Sequence, residues 1–234
     1  MLAHRGKAKV RTHAKPQEYI AVKPNQVWTW DISYLSTTIK GHFYYLYVVM
    51  DIFSRKIVGF NVYEKESADY ASEVVTSACL KEGIKADSLV LHSDNGSPMK
   101  GSTLLATLQK LGIIASFSRP SVSNDNPYSE ALFRTVKYCS QYPNNPFESL
   151  EQANYWVENF VYWYNHVHQH SALKFVSPSV RHHGLDKIIL EHRHKVYEHA
   201  KSCHPNRWSK DTRNWTHISE VSLNPNNKIK GKVA

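Results

Sequence analysis

The sequence predicts an α/β fold, a five-stranded mixed sheet with helices on both faces, and two observations predict it. After a basic opening stretch, three segments carry apolar and aromatic residues in period two, separated by short connections. From Ser67 onward the period changes to that of a helix and alternates with two brief apolar runs, in the order α-β-α-β-α. Strands first, then strands interleaved with helices, bury their apolar faces most simply as one mixed sheet covered on both sides.

Each element has a local reason. Residues 1–22, with Lys7, Lys9, Arg11 and Lys15, have no hydrophobic period and read as a basic arm or linker. Gln26–Leu35 places Val27, Thr29, Asp31 and Ser33 on one side, against Trp28, Trp30, Ile32 and Tyr34 on the other. Gly41 opens a second strand, HFYYLYVVM, and Arg55–Glu64 forms a third; short links make these an antiparallel meander. Ser67 caps a helix striped by Ala71, Val74, Val75 and Ala78, with Gly83 at its C′ position. Ser88–Leu91 is a short strand that delivers His92 and Asp94. Ser102 caps a helix of Leu104, Leu105, Leu108 and Leu111, which Gly112 ends, and Ile113–Phe117 is the fifth strand. Asn126-Pro127 starts the next helix, with Pro127 at N1 and Glu130, Arg134 and Lys137 along one edge. Ser149 and Gln152 fit a capping box ahead of a strongly amphipathic helix. Beyond about Lys174 the chain turns polar and His/Lys-rich, and residues 181–234 read as a basic C-terminal extension.

Composition narrows the partners. Lys and Arg number 29 against 20 Asp and Glu, a net charge of +9 that favours a polyanion, nucleic acid first. Phe43–Met50, the longest apolar run, is far too short to span a bilayer, and the opening residues lack the apolar core of a secretory signal. Cys79, Cys139 and Cys203 are scattered without metal-knuckle spacing, which suits free thiols in a cytoplasmic, nucleoid-associated protein.

Three carboxylates stand out. Asp94 lies at a strand end before an Asn95-Gly96 turn, where open α/β sheets build their sites. Asp31 lies inside an aromatic strand, where an unpaired charge costs several kcal/mol. Glu130 follows Asp94 after 35 intervening residues, in the first turn of a helix. Taken singly, these are an edge residue, a turn residue and a helix-dipole partner. Taken together they suit hard divalent ions, Mg²⁺ or Mn²⁺, held by carboxylate oxygens. Two ions about 4 Å apart serve an in-line displacement at phosphorus, with Asp31 bridging and Asp94 and Glu130 each completing one.

The segments WTWDISYL, LHSDNGSP and RPSVSNDNPYSEALFRTVK, with this Asp, Asp, Glu spacing, resemble DDE-type insertion-sequence transposases with a retroviral-integrase-like catalytic core. The resemblance implies a ribonuclease H-like fold over residues 23–180, with Asp31, Asp94 and Glu130 as catalytic, metal-binding acids. It implies DNA cleavage by water at an element end, followed by attack of the freed 3′-hydroxyl on target DNA. The implied partners are double-stranded DNA, a homo-oligomer that pairs two ends, and a separate helix-turn-helix polypeptide for end recognition. A silent DNA-binding remnant and a ribonuclease H-like nuclease are the alternatives that share these residues.

Lys137 falls where the family carries a basic residue near the DNA end, and Arg134 and Arg119 are further phosphate candidates. His92 is read either as a phosphate contact or as a packed strand residue, and Asn124 and Asn126 as helix caps or DNA contacts. Asp51 and Arg55 read as a structural ion pair. His166, His168 and His170 alternate, which on a helix turns them away from a shared ion. Trp208, Arg213 and Trp215 suggest an aromatic-basic surface for nucleic acid.

Overall fold

The computed structural model describes residues 16–120 and 125–225. The basic residues Lys7, Lys9, Arg11 and Lys15, and Asn124, lie outside them. A short strand, Tyr19–Ala21 (β1), precedes the meander Val27–Ser36 (β2), Phe43–Asp51 (β3) and Ile57–Tyr63 (β4). Ala68–Glu82 (α1), Val90–Ser93 (β5), Ser102–Lys110 (α2) and Ile114–Phe117 (β6) follow. Next come Pro127–Tyr138 (α3), Leu150–His166 (α4), Pro178–His182 (α5), Asp186–Cys203 (α6) and Val221–Leu223 (β7).

The main sheet has the order β4-β3-β2-β5-β6, with β2, β3 and β4 antiparallel and β2, β5 and β6 parallel. This is the expected five-stranded mixed sheet. The period-two pattern of β2 sorts its side chains cleanly. Trp28 and Trp30 pack with Tyr47 and Val49 beneath α1 and α2. Leu35, Leu46, Val48 and Met50 face α3 and α4, whose Leu132, Phe133, Val157 and Phe160 close that side. Asp31 shares the α3 face with Thr29 and Ser33. Gly59 lets α1 lie close on β4, since a Cβ there would meet that of Ala78 at 2.9 Å.

Capping follows the local chemistry, with shifts. Ser67 Oγ accepts from Asp69 N–H, and Gly83 takes the left-handed conformation at φ 61°. Ser149 Oγ accepts from Gln152 N–H, while Gln152 Oε1 accepts from Glu148 N–H, one residue earlier than in a capping box. Ser102 is the first helical residue of α2, not its cap; Gly101 holds that position with no side-chain bond. The fourth strand begins at Val90 rather than Ser88, because its pairing with Val27 and Ile114 sets the ends. Arg55 lies outside β4, in the turn, at φ 64°. Helix α6 was not legible: its residues are mostly exposed and charged, and only Asp186 and Leu190 are buried.

Asp51 and Arg55 make no ion pair. Asp51 instead accepts from Ser54 N–H, Ser54 Oγ–H and Asn25 N–H. Ser54 Oγ also meets His182 Nδ1 at 2.9 Å, and His182 Nε2 meets Glu82 Oε2 at 2.9 Å. This Ser-His-Glu chain is a tie rather than a nucleophile relay, because Ser54 is fully buried and gives its proton to Asp51. Arg181, 1% exposed, donates to Phe53 O, Ile218 O and Asp186. With β7 paired to β1, these contacts bind the C-terminal segment to the start of the sheet. Trp215 joins that packing with Leu173, Val176 and Leu190, so it is a core residue rather than part of a surface for nucleic acid.

Asn165 supplies what β4 lacks at its end. Its Oδ1 accepts from Ile57 N–H and its Nδ2 donates to Ile57 O, both at 2.9 Å. Asn165→Ala leaves both backbone groups buried and unpaired. Urea denaturation should show a loss of about 2–4 kcal/mol with an unchanged slope.

Candidate active site

Register brings the first two acids together. On the parallel pair β2–β5, Thr29 lies opposite His92. Asp31 and Asp94 each stand two residues beyond that position, on neighbouring strands and at the rim where β5 ends. The third acid arrives with α3. Ser129 Oγ and Thr29 Oγ1 are 2.8 Å apart and buried, and Asn126 Nδ2 donates to Trp30 O at 3.4 Å. Both contacts grip β2 beside Asp31, and Glu130 is the residue after Ser129.

The electrostatics register this convergence. Burial pushes the Asp31 carboxyl up to about 7, against a hydrogen bond from Ile32 N–H; the charges of Asp94, Glu130 and Glu66 raise it further. Asp94 Oδ1 accepts from Ser118 Oγ–H at 2.7 Å, and Glu130 is exposed to solvent. Among the described residues no three His, Cys, Asp or Glu side chains are gathered tightly enough to hold a metal ion. Like charges with separate hydrogen-bond partners have no reason to close on one another unaided. The donor set nonetheless fits a hard divalent cation: it is oxygen-only, and burial together with neighbouring charge pushes its most buried member towards neutrality, a cost that a cation offsets. Asn95 Oδ1 and Asn126 Oδ1, next to this rim, are buried without partners.

The remaining candidates separate. Glu130, Arg134 and Lys137 are all exposed on α3 at the expected spacing. His92 is fully buried, so it is not on a DNA-facing surface. Its Nδ1 meets Ser116 Oγ at 2.9 Å and its Nε2 meets Asp125 O at 3.0 Å, and burial lowers its pKa. It ties β5 to β6 and to the approach of α3, and Ser118, which holds Asp94, also touches it at 3.3 Å. Arg119 is engaged: Nε and Nη2 grip Asp125 at 2.9 Å each, which joins the two ends of the 119–125 connection. Asn126 holds the N-cap position of α3, where its carbonyl accepts from Glu130 N–H but its side chain makes no cap bond. It is fully buried, away from any DNA-facing surface. His168 and His170 follow the end of α4 and pack by Tyr164, with ring centroids 5.5 and 6.2 Å away. Ser118, Asp125 and Ser129 have no role in the sequence reading, and Thr29 only a place on the Asp31 side of its strand. Small hydroxyls and a loop acid carry no spacing signature, and only the strand register shows what they hold.

Two family profiles, each described as an integrase core domain, match residues 21–123 and 111–178. The chain is 32% identical over 164 residues to the transposase for insertion sequence element IS904 of Lactococcus lactis, covering 69% of this chain and 63% of that protein. It belongs to the integrase core domain family. Transposase InsF for IS3A of Escherichia coli K12 is 28% identical over 163 residues, 69% of this chain and 55% of that one. The chain thus spans less than two thirds of the length of both relatives. Among solved structures, the simian T-cell lymphotropic virus intasome in complex with PP2A regulatory subunit B56 gamma superposes with a TM-score of 0.58 at 20% identity, over 74% of this chain and 60% of that one. The HTLV-2 integrase catalytic core domain in complex with magnesium gives 0.52 at 18% identity, over 69% and 98%. At such identities the likeness is one of fold, and that fold is ribonuclease H-like.

The Asp31 shift has a sign that can be tested. A carboxyl raised in the folded state stabilises the fold fully below its unfolded pKa, and that contribution is lost as pH rises through about 7. In chelator, wild-type stability relative to Asp31→Asn should fall between about pH 4 and pH 7.5, by a few kcal/mol at most. Equal pH profiles in urea denaturation would contradict the placement of these charges.

Proposed function

We propose that this transposase core cleaves DNA at an element end and transfers the freed 3′-hydroxyl strand into target DNA. Asp31, Asp94 and Glu130 act as its metal-binding acids. The observation that carries the reading is the placement of the three acids. The β2–β5 register sets Asp31 beside the end of β5 and Asp94, and Glu130 follows the Ser129 contact to β2. The charges of Asp94 and Glu130 add to the burial that raises the proton affinity of Asp31. A magnesium complex of a fold neighbour supports a divalent ion here. We assign two, Mg²⁺ or Mn²⁺, with Asp31 between Asp94 and Glu130. When bound, they neutralise the phosphate and activate the attacking oxygen of an in-line displacement.

The chain's own residues position and steer. Asp31 approaches from the sheet, Asp94 from the strand end and Glu130 from the helix, leaving the solvent side open for a phosphodiester. Ser118 and His92 hold the Asp94 loop, and Ser129 fixes the phase of α3, so that Glu130 faces the rim and Arg134 and Lys137 continue along the same helix edge. We assign these two cations to phosphates of the DNA end. The net charge of +9 supports a duplex partner. The intasome likeness supports a multimer on DNA, as pairing two ends requires. Residues 23–180 are proposed as the catalytic unit, and 181–234 as an extension whose described part, through residue 225, docks on it. Among the described residues no helix is long and apolar enough to cross a membrane.

A duplex carrying the inverted repeats that flank the coding sequence provides the test. Mg²⁺- or Mn²⁺-dependent nicking and joining of the 3′ end into plasmid DNA are expected. Asp94→Asn should lower both by about 10²–10³-fold or more while leaving the fold intact. Metal-independent nicking, or full activity in that variant, would end the assignment. Lys137→Ala should weaken duplex binding modestly and reduce its salt dependence by about one phosphate contact.

A further inference from the structure

Between the turn after β3, one side of α3 and the segment leaving α4 lies a cavity of about 530 Å³. Arg55, Tyr128, Thr135, His168 and His170 are among its lining residues, and Asp31, Asp94 and Glu130 are not. The Arg55 guanidinium lies over the Tyr128 ring, 4.0 Å from its centroid. Asp51, the acid in the same turn, is engaged by Ser54 and Asn25, and among the described residues no Asp or Glu pairs with Arg55. Arg55 Nε and His170 Nδ1 are buried without hydrogen-bond partners. The turn itself disfavours arginine, since φ 64° suits glycine or asparagine. A strained backbone, a half-buried guanidinium without a carboxylate partner and an imidazole whose Nδ1 lacks a hydrogen-bond partner therefore line one opening.

We propose that this cavity binds a phosphate group, with Arg55 and His170 donating to its oxygens and Tyr128 flanking the group that carries it. Arg55 comes from the β3–β4 turn and His170 from the segment after α4, while the Thr135 hydroxyl on α3 already donates to Ala131 O. Donors converging from two elements on one opening suit a tetrahedral oxyanion, and the guanidinium fork binds phosphate strongly. The volume admits a nucleotide as well as a bare ion. Burial and the positive charge of Arg55 lower the His170 pKa to about 4, an effect that an anion at this spot opposes. The phosphate comes either from a DNA backbone or from a free nucleotide or inorganic ion.

The full chain, ¹⁵N-labelled, is titrated with inorganic phosphate while the His170 ring resonances are followed. Saturable shifts and a raised His170 pKa are expected. Arg55→Met should weaken phosphate binding about tenfold or more, whereas Asp94→Asn should bind as wild type, which keeps this site independent of the proposed active site. If Arg55→Met does not fold, Ala131→Leu, which narrows the cavity from its exposed wall, must give the same loss. A non-saturable response, or equal shifts with acetate, overturns the proposal. Duplex binding then assigns the source: weakening by Arg55→Met with competition from phosphate identifies the DNA backbone, and loss of phosphate binding alone identifies a free phosphate.

Discussion

A single buried hydroxyl pair, Thr29 with Ser129, sets the geometry on which the proposed active site depends. Thr29 projects from the central strand onto the α3 face, two residues before Asp31 and on the same side. Ser129 immediately precedes Glu130. Joining those hydroxyls fixes the rotation of α3 about its own axis, because a helix turned by one residue would carry Glu130 about 100° away from the rim. The Asn126–Trp30 contact adds a second point of attachment, so the helix start is held at two positions rather than pivoting on one.

Around that junction the protein keeps charges apart with dedicated partners. Asp94 is held by Ser118, Asp31 by the amide of Ile32, and Asp125 by Arg119. Burial, with the charges of Asp94 and Glu130, raises the proton affinity of Asp31. Neutral groups do the scaffolding beneath them. His92, fully buried and discouraged from carrying charge, joins β5 to β6 and to the start of α3 without adding to the local field. The C-terminal segment is bound in the opposite style, by buried Arg181, which is paired with Asp186 and donates to Phe53 O and Ile218 O, and by strand pairing of β7 with β1. A buried pair of this kind is expensive to break and specifies one docking arrangement.

Much of the fold was legible because local pattern and tertiary context agreed. The alternation of β2 separated Trp28 and Trp30 from Thr29 and Asp31, and both sets went where the period assigned them. Where they diverged, the cause was contact rather than propensity. Helix α6 has no apolar stripe to announce it. Asp51 and Arg55 looked like an ion pair, yet the tight turn gave Asp51 three nearer donors and turned Arg55 onto Tyr128. Arg119, Asn126 and His92 looked available to DNA, and packing engaged one and buried two.

The sequence by itself determined the kind of chemistry: three acids in a strand, at a strand end and in a helical first turn, on a basic chain, with motif spacing that a short alphabet rarely repeats. Local periodicity encodes these features, so they survive without coordinates. Only the tertiary structure decided which hydroxyls hold the acids in place, which cations remain free, and that Arg55 opens into a cavity. Those outcomes depend on residues about a hundred positions apart meeting in one register, and no local pattern carries that information.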